Sequence, residues 1–118
     1  DEPKRLARLD SFCRAPLAEW GMTEQDCVDF LNKRGMLNPL YQKFRRLGCW
    51  FCVKQSLDSL RVLRRDYPEY WAMLLAWDKG SPRTFKPNCT VMDLERRFSL
   101  EDRQLRLAAA DEAFLKAA

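Results

Sequence analysis

No stretch of this chain alternates apolar and polar residues for long enough to read as a strand, and that constrains the fold more than any other feature. Apolar residues recur instead at three-to-four spacing, between residues that start and stop helices. Thr23 is a good N-cap, and Glu24 and Asp26 suit the positive end of a helix dipole. The helix they open runs to Arg34 and stops at Gly35, with Cys27, Val28, Phe30 and Leu31 as its packing face. Upstream, Pro3 takes the first position of a short helix through Leu9. Pro16 disfavours helix at Ala15, so Cys13 to Leu17 reads as extended.

The second half follows the same logic. Asn38-Pro39 marks a turn, Pro39 to Phe44 gives one more helical turn, and Arg45 to Gly48 is a loop. A helix spans roughly Ser56 to Arg65, with Leu57, Leu60 and Leu63 at helical spacing. Pro68 opens the next, whose face is Trp71, Leu74 and Leu75 and extends to Asp78, and Gly80 ends it. After a loop from Ser81 to Cys89, Thr90 caps a short helix that aligns Val91, Leu94 and Phe98. Ser99 reads as the cap of a last helix with Glu101 and Asp102 in its first turn, and its Ala-rich end from Leu107 to Ala118 should fray. With only four glycines and six prolines, a turn-rich β protein is disfavoured. The expectation is an all-α fold of five or six short helices, one domain over residues 1–118.

The longest apolar run, Tyr70 to Trp77, falls far short of the roughly 20 residues of a membrane helix. The N-terminus shows no apolar signal region. Five cysteines, an odd number, do not suit a disulfide scaffold, so a reducing compartment, the cytoplasm, is expected. Histidine is absent, which excludes Cys–His zinc fingers and every Ser-His or Cys-His nucleophile within the chain. The formal charge of +4 suits a phosphate-bearing ligand or nucleic acid without establishing either.

Cys49-Trp50-Phe51-Cys52 is the sharpest local signal, because two intervening residues let both sulfurs reach one metal or each other. Three readings stand side by side: a metal or iron–sulfur site, a redox dithiol, and buried structural thiols. A metal needs further ligands, with Cys13, Cys27 and Cys89 the candidates. Cys27 lies on an apolar helix face and suits core packing; Cys13, beside a proline in an extended stretch, is the better-placed third ligand. Lys43, Arg45, Arg46 and Lys54 flank the pair, as an anion site that lowers thiol pKa values or as a solvated loop. Arg61, Arg64 and Arg65 read as a solvent face, and Trp71 and Trp77 as core.

Taken in order, DEPKR, APLAEWGMTEQDC, RGMLNPLY, FRRLGCWFC, LRVLRRDYPEYWAMLLAWD and LERRFSLEDRQ resemble the C-terminal half of the phosphoadenosine phosphosulfate reductase-like family, over roughly residues 1–104. The resemblance implies the helical C-terminal part of a larger α/β enzyme. The family's N-terminal nucleotide-binding half, with its Ser-Gly-Gly-x-Asp-Ser phosphate loop, has no counterpart here and is implied as a partner half or subunit. The implied substrate is an adenylylated sulfonucleotide, and the implied chemistry is reduction or transfer of sulfur. Asp1, Glu2 and Arg5 match the family's acidic–basic segment near the nucleotide, and Arg46 its basic residue before the cysteines. Substrate contacts are therefore expected from Arg5, Arg45 and Arg46. Cys49 and Cys52, with Cys13, are expected to hold an iron–sulfur cluster or zinc. Where close relatives often carry a third cysteine and a proline around the motif, this chain has Phe51 and Val53.

Overall fold

The computed structural model describes residues 2–118, Glu2 by its backbone alone. Six α-helices are present among the described residues, and no strand: α1 (Glu2–Leu6), α2 (Pro16–Glu19), α3 (Glu24–Lys33), α4 (Leu57–Asp66), α5 (Pro68–Lys79) and α6 (Val91–Ala117). The all-α expectation is met. The chain divides into two compact units, one ending at Pro39 and the other Leu40–Ala118. None of these helices is long and apolar enough to cross a membrane.

In the first unit the helices are set by local chemistry. Thr23 and Asp26 form a reciprocal capping box at the start of α3. Gly35, at φ +66°, closes α3 with Met36 N–H donating to the Leu31 carbonyl. Gly21, at φ +67°, does the same for α2, where Met22 N–H reaches Leu17. Two expected boundaries shift. The first helix stops at Leu6 rather than Leu9, and Pro16 starts α2, so the extended stretch ends at Ala15. None of the described residues before Leu40 is buried; Phe12, Trp20 and Met36 are the most exposed of its large apolar side chains.

The second unit holds the core. Leu60 and Leu63 of α4, Trp71 and Leu74 of α5, and Val91, Leu94 and Phe98 of α6 pack with Phe85 from the α5–α6 loop. Tyr67 alone joins α4 to α5: its N–H completes α4 on the Leu63 carbonyl, and Pro68 then begins α5. Thr90 and Asp93 form a second capping box, and the Asp78 carboxylate at the end of α5 accepts the Val91 N–H at 2.8 Å. The start of α6 is thereby fixed to the end of α5.

Three expectations fail here, two of them for a long-range reason. Ser99 caps nothing; α6 runs through it without a break to Ala117. Its hydroxyl donates one turn back to Glu95 Oε1 at 2.9 Å and accepts from Arg64. Arg61 and Arg64 are not a solvent face, since each forks onto a carboxylate of α6: Arg64 onto Glu95 and Arg61 onto Glu101. Arg64 also donates to Asp102 at 2.7 Å. These contacts pull Glu95 and Glu101 down to about 2, Glu95 chiefly through Arg64 with help from Trp71 and Ser99, and Glu101 through Arg61 and then Arg97. Trp77 is 52% exposed and not core, whereas Trp71 is buried as expected.

Candidate functional site: the Cys49–Cys52 turn and its aromatic cavity

The cysteine pair forms a tight turn in which Cys52 N–H donates to the Cys49 carbonyl at 3.1 Å. Gln55 holds this turn twice. Its side-chain amide donates to the Cys49 carbonyl at 2.9 Å, and its backbone N–H to the Cys52 carbonyl at 3.0 Å. The turn does not lie at a helix start. Ser56 caps α4 with its hydroxyl on the Ser59 N–H, four positions beyond Cys52.

A second clamp comes from the α5–α6 loop. Lys86 and Cys89 exchange both backbone hydrogen bonds across a reversal that needs Asn88 at φ 55°. This reversal aims the Lys86 ammonium at the Val53 and Gln55 carbonyls, 2.8 and 2.7 Å away. Nothing local in the sequence singles out Lys86; the only hint was its place in a loop rich in turn residues.

Trp50 lies between the two cysteines and packs on the core. Its ring stacks on Trp77 at 5.3 Å, tilts against Tyr70 at 4.9 Å and meets Phe51 edge-on at 5.3 Å. Behind it opens a cavity of about 230 Å³, walled by Phe44, Trp50, Tyr67 and Tyr70 and by Leu60 and Leu63. Its polar lining includes Arg46, Gln55 and Ser59. Ser59 has its hydroxyl oxygen taken by Ser56, which leaves its own O–H to donate. The space is mostly apolar and aromatic-walled with a few polar residues in its lining, as small-molecule sites are.

The basic residues around the pair separate into two groups. Lys43 is committed: it pairs with Asp66 at 3.1 Å and lies over the Tyr67 ring. Arg65 and then Lys43 hold the Asp66 carboxyl down to about 2. Arg45, Arg46 and Lys54 are exposed and make no ion pair among the described residues. Of the expected substrate-binding residues, Arg46 lines the cavity, Arg45 is its exposed neighbour, and Arg5 lies on α1 in the first unit. Asp1 and the Glu2 side chain lie outside the described residues.

All five cysteines are free thiols, Cys49 exposed and Cys52 half-buried. Cys13 is exposed in a turn of the first unit, its N–H on the Asp10 carbonyl at 2.8 Å, beside an open depression next to α2. Cys27 is half-buried on α3, and Cys89 packs at the edge of the second unit's core. Among the described residues no three Cys, Asp or Glu side chains come together to hold a metal. The donor set is thus two thiols on one turn, half of a tetrahedral zinc or cluster set. Searches against protein-family models, curated proteins and solved structures return no match.

Proposed function

We propose that this chain is the helical, cysteine-bearing C-terminal portion of a phosphoadenosine phosphosulfate reductase-like protein, acting in sulfur reduction or transfer on an adenylylated substrate. One observation carries the reading: a Cys-x-x-Cys turn, fastened by Gln55 and Lys86, borders an aromatic cavity whose lining includes Arg46, which makes no ion pair among the described residues. The aromatic walls suit a planar ring, and the guanidinium suits a phosphate or sulfate. Two thiols closing to a disulfide release two electrons and two protons, the balance for reducing a sulfonucleotide to sulfite and free nucleotide. An iron–sulfur cluster or zinc on Cys49 and Cys52 requires further ligands, from Cys13 or another chain. The cytoplasm suits five free thiols. The phosphate-binding loop belongs to the partner half, so this chain alone does not turn over substrate.

The reading frame upstream of the Asp1 codon tests this. A Ser-Gly-Gly-x-Asp-Ser loop there supports the proposal, and an unrelated domain overturns it. Exposed Arg45, Arg46 and Lys54 beside the pair favour a second reading, a zinc- or cluster-stabilised module that binds nucleic acid or a protein partner without catalysis. Iron with acid-labile sulfide together with sulfite release supports the first reading, and zinc without sulfite release the second.

A further inference from the structure

The second half of α6 belongs to no packed face. From Arg103 to Ala118 every residue is exposed. Leu105 and Leu115, 69% and 73% exposed, lie on other sides of the helix, but three of its apolar residues are ordered. Leu100, Leu107 and Phe114 recur every seven positions and are 56%, 66% and 75% exposed. Ala110 and Ala117 follow the latter two by three positions. Residues so spaced share one face of a helix, the a and d positions of a heptad. That face points away from the core, because Phe98 is 2% exposed and Leu100 is two residues, about 200°, further round. Arg103, at the d position that follows Leu100, and Asp111, beside the stripe, have no ion pair among the described residues. On other sides of the helix Arg97–Glu101 and Glu112–Lys116 are paired.

We propose that α6 is a self-association helix, pairing antiparallel with α6 of a second copy through Leu100, Leu107 and Phe114. The residue order selects this partner and direction. Antiparallel, the helices face each other symmetrically about the point between Ala108 and Ala109. Leu107 then meets Ala110 of the second copy, and Leu100 meets its Ala117. Large against small at these two rungs lets the backbones approach without voids. Arg103 meets Phe114 of the second copy, a cation over a ring, and Gln104 comes beside the second copy's Asp111. A parallel pair would instead set Arg103 against Arg103 and Ala110 against Ala110, a repulsion and a gap. The paired stretch spans only about 26 Å. A contact of this size belongs to the small, weak class that gives an exchanging dimer.

Sedimentation equilibrium of the whole chain under reducing conditions tests the pairing. The chain is expected to dimerise with concentration. Leu107→Glu should weaken the dimer at least about tenfold, or 1.4 kcal/mol, with unchanged circular dichroism. A Leu107→Gln/Phe114→Gln chain, made with a good helix former, repeats the measurement without added charge. Arg103→Ala should weaken the antiparallel pair several-fold. A monomer at about 1 mM, a dimer indifferent to both Leu107 variants, or a dimer tightened by Arg103→Ala would each overturn the proposal.

Discussion

The indole N–H of Trp71 and the Nε of Arg64 donate to the same oxygen of Glu95, at 2.6 and 2.8 Å. One carboxylate thus ties α4, α5 and α6 together at the edge of the core, with Ser99 donating to its other oxygen. Glu95→Ala should therefore destabilise the protein by about 1–3 kcal/mol, because it strands the donor of a buried tryptophan beside an arginine that has lost its fork. Urea denaturation measures this. Glu101→Ala should cost less, since its partners Arg61 and Arg97 are more exposed than Arg64 and Trp71.

The same carboxylates set the acid response. Glu95 and Glu101 titrate at about 2 in the folded chain against an ordinary 4.5. Between those values the unfolded chain takes up protons that the folded chain does not, so acid favours unfolding. Their stabilisation is fully present above about pH 6 and is lost as pH falls through the window from 4.5 toward 2. Melting temperatures across that range should fall steeply, and a Glu95→Gln/Glu101→Gln chain should give a flatter profile.

Much of the fold was legible because it is local. Thr23, Ser56, Thr90, Pro68 and Gly35 announce helix ends through contacts within a few residues. Ser99 misled for the same reason: a capping residue followed by Glu101 and Asp102 looks like a helix start. Only Arg64, 35 residues away, shows that its hydroxyl serves a network instead. Arg61 and Arg64 read as solvated because the carboxylates of α6 that they reach lie 31 to 40 residues downstream. At the site, Cys49, Cys52 and Arg46 were visible as a motif. The cavity was not, because its walls come from Phe44, Trp50, Tyr67 and Tyr70, which only the packing of α4 and α5 brings together.

Lys86 offers a direct test of how the cysteine turn is held. Lys86→Met keeps the apolar stem and removes the donors on the Val53 and Gln55 carbonyls. The turn should loosen and half-buried Cys52 should react several-fold faster with an aromatic disulfide reagent. Exposed Cys49 should change little. Stability should fall by about 1–2 kcal/mol, as for hydrogen bonds to a charged group. An unchanged Cys52 rate would mean that Gln55 alone fixes the turn.

The cysteines themselves separate the two functional readings. Neither Cys49 nor Cys52 belongs to the buried cluster of Leu60, Leu63, Trp71, Leu74 and α6. Replacing both by serine should therefore leave the isolated chain's stability within about 0.5 kcal/mol of the parent, the usual range for substitutions away from the core. If the chain is the C-terminal part of such a reductase, the double variant of the whole reductase should lose sulfite release entirely, along with any iron and acid-labile sulfide. A structural zinc reverses this pattern, because binding free energy for such a metal is folding free energy. Loss of zinc with a large fall in melting temperature, and no sulfite release to lose, would assign the turn to a binding module rather than a reductase.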